Sequence, residues 1–333
     1  MRAAVLVEPG LIEMQDRPVP RPQSGDVLIR VSSVGVCGSD THYYRHGRVG
    51  GFVVEAPLIL GHEAAGTIVD VGGGVDPGRI GQRVSIEPQR PDPATEETRR
   101  GRYNLCPHMQ FFATPPVDGA LCDYVTIGAE FAHPVPESMS DEAAALCEPL
   151  SVGIAAVRKA GVEEGARVLI AGAGPIGIVV AQVARAYGAA EVVVSDPDAA
   201  RREQVGRFGA TTVLNPTVEA FDDLNVDAFI DASGAPAAVA DGIRAVRPAG
   251  TVVLVGSGAE SMELPTQVIQ NRELILTGVF RYADTWPTAI ALVESGRVDL
   301  DAMVTERFPL ERAADALDSD RTPGSVKSVV TVS

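Results

Sequence analysis

The stretch "RVLIAGAGPIGIVVAQVARAYGAAEVVVSDPD" constrains the fold more than any other part of the chain. It sets Gly172-x-Gly174-x-x-Gly177 directly after an apolar run. The segment that follows carries Ile176, Val180, Val183 and Tyr187 at helical spacing. Strand, glycine turn and helix in that order open a βαβ unit. The three glycines permit a tight turn, close approach of backbone to a pyrophosphate, and close helix packing. The pyrophosphate would lie at the positive end of the helix. Asp196 ends the next apolar run, where a carboxylate accepts hydrogen bonds from an adenosine ribose and repels a 2′-phosphate. The expectation is NAD over NADP, with S-adenosylmethionine or a flavin on a similar sheet as competitors.

Six apolar runs follow one another in this region: 168–172, 192–196, 211–215, 229–233, 252–256 and 274–279. Six strands complete a dinucleotide-binding sheet, which favours nicotinamide. Residues 1 to about 139 differ, being short β-like runs broken by Gly and Pro, such as "DVLIRVSSVGV" and "GQRVSIEP". At 333 residues two domains are expected. The fold class predicted is α/β with a β-rich part: a β domain over 1–149, a six-stranded parallel Rossmann domain over 150–279, and a tail over 280–333 that returns to the first domain.

The formal net charge is −16, and only Lys159 and Lys327 among 28 basic residues are lysines. Without basic clusters, nucleic acid and anionic membranes are excluded as partners and a small soluble ligand is expected. No run of 18 apolar residues occurs, and "MRAAVLVEPG" is not followed by a leader pattern, so a cytoplasmic protein is expected. Four irregularly spaced cysteines read as thiols or metal ligands.

Cys37 lies in "VGVCGSDTHYYRHG" with His42 and His46, His62 and Glu63 lie in "LILGHEAAGTIVDVGGGV", and Glu148 lies in "AALCEPLSVG". Cys37, His62 and one or two carboxylates make a sulfur, nitrogen and oxygen set that zinc accepts, with a position left for water or substrate. On spacing alone, a core cysteine and a hydrogen-bonded histidine explain the same residues.

Residues 61–75 read G-H-E-x-x-G-x-x-x-x-x-G-x-x-V, and "GVCGSDTHYY", "GRYNLCPHMQFFATPP", "CEPLSVG", "GAGPIG" and "GVFRYADTWP" accompany them. With these motifs the chain resembles, from end to end, the zinc-containing medium-chain dehydrogenases of the sorbitol (L-iditol) and xylitol dehydrogenase branch. The resemblance implies a GroES-like β domain with a catalytic zinc, a Rossmann domain binding NAD, and a C-terminal return to the first domain. It puts zinc ligation on Cys37, His62 and Glu63. Glu148 stands where many alcohol dehydrogenases place a second cysteine, and which carboxylate binds directly stays open. Ser39 would start a proton relay and His42 pass the proton outward, while His46 is a surface residue.

By the same resemblance Tyr43, Glu148, Arg281 and Tyr282 give the substrate pocket its polar groups, and Phe52, Phe111 and Phe280 form walls. Cofactor contacts fall on Gly172, Gly174, Ile176, Gly177, Asp196, Arg201, Val255, Gly256, Ser257, Val279, Phe280 and Arg281. Arg201 would tolerate a 2′-phosphate, and Asp196 opposes it. The structural-zinc lobe of many relatives, C-x-x-C-x-x-C-x7-C, falls on Asp92, Thr95, Thr98 and Cys106, which implies a catalytic zinc alone. The activity implied is oxidation of a polyol to a ketose. A vicinal diol, a simple secondary alcohol or threonine is the alternative substrate, and a silent NAD(H)-binding protein the remote one. A homo-oligomer, a tetramer in many relatives, is implied as well.

Overall fold

In a computed structural model that describes residues 1–333 apart from Asp222, Ala259 and Ser333, the chain divides into two units. The second unit, Pro149–Asp299, holds the six expected strands: Arg167–Ala171, Glu191–Ser195, Thr212–Leu214, Val226–Asp231, Val246–Leu254 and Ile275–Gly278. They form one sheet in spatial order third, second, first, fourth, fifth, sixth, every neighbouring pair parallel. The order reverses beside the first strand, and open α/β sheets bind ligands at such a switch point. Leu169, Val193, Phe229, Ile243 and Val252 belong to its core.

The helix after the glycine loop, Pro175–Ala186, is buried at every residue from Gly177 to Ala184, further round its circumference than a single apolar stripe predicts. Tyr187 is only its C-cap. Residues 280–299, assigned from the sequence to the returning tail, stay with the second unit. Trp286, Ala289 and Leu292 are buried, and Arg158 donates to the Asp284 carbonyl (2.9 Å) and to Thr288 Oγ1 (2.7 Å). Those contacts hold the helix Trp286–Glu294 to its own unit.

The first unit joins Met1–Glu148 to Leu300–Ser333. Its main sheet runs Ala132–Pro134, Arg83–Ile86, Glu63–Val71, Asp26–Gly35, Lys327–Thr331, Val304–Pro309. The ten-residue strand Asp26–Gly35 is the hinge of this layout: Tyr124–Gly128 pairs with its first half and Lys327–Thr331 with its last three residues. The two C-terminal strands are parallel, so a crossover is required between them, and the helix Ala313–Asp318 provides it. Leu310, Ala313, Ala316, Leu317 and Val330 share one core with Val5, Ile29, Ile68 and Val84. The strand Val304–Pro309 was not read from the sequence; its alternating burial leaves Thr305, Arg307 and Pro309 exposed. Among the described residues no helix is long and apolar enough to cross a membrane.

Leu317 is fully buried in this core. Leu317→Ala is expected to cost about 2–5 kcal/mol, the usual range for a buried leucine, measured by urea denaturation. A loss under about 0.5 kcal/mol, the range of surface substitutions, would mean that the tail is peripheral to the unit.

Candidate active site

Cys37, His62 and Glu63 each present a ligand atom, and these atoms lie within 4.8 Å of one another. Cys37 caps the helix Gly38–His46, while His62 and Glu63 sit at the entry to the strand Glu63–Val71. Register brings them together, because Glu63 is opposite Gly35 in the antiparallel ladder and Cys37 follows Gly35 by two residues. Glu63 Oε1 accepts from Lys327 Nζ at 2.6 Å, in a pair that is 1% and 3% exposed. Its other oxygen, Oε2, is buried with no hydrogen-bond partner.

Asp40 Oδ2 lies 3.4 Å from His62 Nδ1, and Asp40 Oδ1 accepts from the Gly61 N–H. A carboxylate on Nδ1 leaves Nε2 as the ring's ligating atom. Burial opposes a charged imidazole, but the facing Asp40 carboxylate and the Cys37 sulfur outweigh it and hold His62 well above its ordinary pKa. Burial likewise opposes ionisation of Asp40, and His62 with the N–H groups of Gly61 and Cys37 reverses that, lowering its pKa. Glu148, buried in the first turn of the helix Cys147–Ala160, is outside the three-atom cluster, but its charge reaches Lys327.

The carboxylates of Asp40, Glu63 and Glu148 and the Cys37 thiol therefore surround the Lys327 ammonium and the His62 imidazole. A sulfur, a nitrogen and a carboxylate oxygen within reach of one another, with a buried Glu63 oxygen left without a hydrogen-bond partner, fit a divalent cation of zinc's preferences.

Ser39, His42 and Tyr43 lie on the helix that Cys37 caps. Ser39 is half-buried, Tyr43 buried and His42 exposed; His46 is also exposed, its ring 5.7 Å from that of His42. Phe111 packs against His62 with ring centroids 5.5 Å apart. Phe52 is exposed on the short hairpin Arg48–Val53. In the lobe, Cys106 Sγ accepts from the Asp92 N–H (3.2 Å) and from Thr95 Oγ1 (3.6 Å), and Thr95 bonds Thr98. The four lobe positions converge through hydrogen bonds.

In the second unit Gly172 has φ +97°, and a Cβ on Gly177 would lie 1.8 Å from the Gly172 carbonyl oxygen. A Cβ on Gly174 would meet nothing within 4 Å, so the loop faces open space there. Asp196, nearly buried, accepts from the N–H groups of Ala173 and Asp198, both at 2.8 Å. Each carboxylate oxygen keeps a further lone pair for a ribose hydroxyl. Arg201 is exposed. The N–H groups of Val255 and Gly256 donate to the Asp231 carbonyl, and Val279 N–H donates to Leu254. Arg281, at φ +55°, stacks its guanidinium 4.8 Å from the Phe280 ring centre. Tyr282 is fully buried, edge-on to Trp286.

The alcohol dehydrogenase GroES-like domain family matches residues 23–137, and the zinc-binding dehydrogenase family matches residues 175–295. Sorbitol dehydrogenase of Gallus gallus is 43% identical over 335 residues, covering 98% of this chain and 94% of its own length. The chain belongs to the zinc-containing medium-chain dehydrogenases, in the sorbitol dehydrogenase branch. It is accordingly an oxidoreductase. L-idonate 5-dehydrogenase of Escherichia coli K-12 superposes with a TM-score of 0.93 at 27% identity, over 99% of this chain and 97% of that one. An alcohol dehydrogenase of Escherichia coli CFT073, solved with NADH, gives 0.93 at 27% identity over 99% of both chains.

Three residues of this medium-chain dehydrogenase escaped the sequence reading: Lys327, Asp40 and Asp231. Asp40 stands in the quoted "CGSD", three residues after Cys37, a spacing that signals a carboxylate folding back over a helix start. Asp231 ends the fourth strand of the second unit and accepts from the N–H groups of Ser233 and Gly234. Lys327 gave no signal beyond being one of two lysines.

A Cβ on Gly35 would lie 2.1 Å from Glu63 Oε2 and 2.9 Å from Leu146 Cδ2. Gly35→Ala is therefore expected to displace the carboxylate and weaken zinc retention at least about tenfold, comparable to loss of a supporting contact at a metal ligand. Chelator competition reads this, and unchanged retention would show that Glu63 Oε2 is not a ligand. The raised His62 pKa sets a sign as well. A metal must displace that proton, so affinity should rise with pH through neutrality, about tenfold per pH unit per proton released. Chelator competition at three pH values around neutrality measures it, and a flat profile would show that His62 is already neutral.

Proposed function

We propose that the chain is a zinc- and NAD-dependent dehydrogenase that oxidises a secondary hydroxyl of a sugar alcohol, giving a ketose. The observation that carries this reading is the convergence of thiol, imidazole and carboxylate at Cys37, His62 and Glu63 in a chain 43% identical to a sorbitol dehydrogenase. Those three residues would hold the zinc, with Glu148 beside it. When bound, zinc supplies Lewis acidity toward the substrate hydroxyl and the nicotinamide supplies the hydride acceptor.

The chain's own residues handle the proton and the pose. Ser39 takes the hydroxyl proton and His42, exposed on the same helix, gives it to solvent. A polyol presents many hydroxyls, each costly to bury unpaired. Tyr43, Glu148, Arg281 and Tyr282 supply partners for them, and Phe52, Phe111 and Phe280 supply walls. Gly172, Gly174, Ile176 and Gly177 cradle the pyrophosphate at a helix start, with Val255–Ser257 and Val279–Arg281 alongside. Asp196 selects NAD over NADP despite Arg201. One catalytic zinc is expected, because Asp92, Thr95 and Thr98 offer no thiolate and Cys106 is already hydrogen-bonded. The edge strand Ile275–Gly278 exposes Ile275 and Leu276, which supports a homo-oligomer, a tetramer by family resemblance. The working compartment is taken to be the cytoplasm.

Steady-state oxidation of sorbitol, xylitol, 2,3-butanediol and threonine, with each cofactor, tests the reading. A sugar alcohol should give the highest kcat/KM, NAD should be preferred at least about tenfold, which is 1.4 kcal/mol, and metal analysis should return one zinc per chain. Glu148→Gln should lower kcat by about 10²-fold or more with NAD affinity unchanged. Preference for butanediol or threonine would transfer the assignment to that substrate. Silence of the zinc-loaded enzyme with every alcohol would leave an NAD(H)-binding protein.

A further inference from the structure

The first unit contains a cavity of ≈ 380 Å³ that is separate from the metal cluster: Cys37, His62, Glu63, Glu148 and Phe111 do not line it. Its volume is within the range of small-molecule pockets. Ile59, Phe112, Val117 and Val125 make much of the wall apolar. Arg17 lines it too, and its Nε is buried without a hydrogen-bond partner. Among the described residues the Arg17 side chain makes no ion pair or hydrogen bond. Its backbone is fixed nonetheless, because Arg17 N–H donates to the Met1 carbonyl at 2.9 Å.

An unpaired donor shielded from water is costly, and native structures rarely keep one without a ligand, ion or water to meet it. The other charged groups on the wall are already engaged. Arg90 is paired in a two-pronged contact with Asp26 (2.8 and 3.2 Å), Asp118 accepts from the Ile59 N–H at 2.9 Å, and the Met1 ammonium donates to the Arg17 carbonyl at 2.8 Å. The cavity thus offers one free guanidinium within an apolar wall, together with a carboxylate that repels a second negative charge. We propose that it is a binding site for a small monocarboxylate with an apolar body, an aromatic or short branched acid, whose carboxylate seats on Arg17. A guanidinium meets a carboxylate through parallel N–H donors, which makes this contact directional as well as charged. The site belongs to neither the zinc cluster nor the dinucleotide loop, so it stands or falls apart from the dehydrogenase reading.

The test is isothermal titration of the zinc-loaded enzyme with 4-bromobenzoate and its uncharged analogue 4-bromobenzamide, followed by bromine anomalous diffraction of the soaked crystal. Benzoate should bind at one site per chain, with the amide weaker by at least about tenfold, as expected for loss of a charge-assisted hydrogen bond. Arg17→Gln should weaken benzoate by a similar factor, and Val117→Phe, which fills the cavity, should abolish binding. Both variants should keep wild-type turnover of the polyol, which shows that they fold. The bromine peak should lie beside Arg17. Equal affinity in Arg17→Gln, a peak only at the Cys37–His62–Glu63 cluster, or no binding up to about 10 mM, about a tenth of the affinity of a ligand with a Kd of about 1 mM, would overturn the proposal.

Discussion

Lys327 Nζ lies 2.6 Å from Glu63 Oε1 and 2.7 Å from the Val36 carbonyl, with both charged side chains almost wholly out of water. Removing either charge from water alone costs several kcal/mol, and the pair is tolerable only if both arrive together. Glu63 enters on the strand Glu63–Val71 and Lys327 on the strand Lys327–Thr331; Gly35 is opposite Glu63 on one side and Val329 on the other. Docking of the C-terminal strand and placement of the metal carboxylate are thus one structural event. The two Glu63 oxygens differ in their surroundings, since Lys327 holds Oε1 while Oε2 is buried with no hydrogen-bond partner.

The fold was legible where physics leaves a strong local pattern. The central strands of the second unit, Arg167–Ala171, Glu191–Ser195 and Val226–Asp231, are buried almost throughout and read as apolar runs rich in Val, Ile and Leu. The strand Val304–Pro309 carries Glu306 and Arg307 among its six residues, so no apolar run announces it. The boundary at 299/300 was missed for a related reason: helix Trp286–Glu294 follows the last parallel strand directly, and only its contacts to Arg158 reveal which unit it serves. The juxtaposition of Cys37, His62 and Glu63 was expected from their motifs, and the fold brings their ligand atoms within 4.8 Å of one another. Lys327, almost three hundred residues from Cys37, has no local context that marks it.

The dinucleotide loop shows how acids can organise a site designed for an anion. Asp196 follows the second strand and Asp231 ends the fourth, on either side of the first, and their carboxylates accept from backbone N–H groups of Ala173, Asp198, Ser233 and Gly234. Those bonds fix the loops that bracket the glycine turn. The start of helix Pro175–Ala186 has no side-chain cap, and this is the end at which the proposed pyrophosphate would sit. The acid at 196 therefore has a structural role before any ribose arrives.

The choice of lysine at 327 follows from the same geometry. The chain uses arginine for nearly all of its positive charge, and Lys327 is one of two exceptions. Arginine presents a planar fork of five donors that needs several acceptors in one plane. The interior around Lys327 supplies an acceptor from Glu63 and one from Val36, and a compact ammonium satisfies both without reaching into the space beside Oε2. A guanidinium there would bring surplus donors into a buried cluster that offers them no further acceptor in one plane. The compact ammonium meets Glu63 Oε1 and the Val36 carbonyl and leaves Glu63 Oε2 without a hydrogen-bond partner.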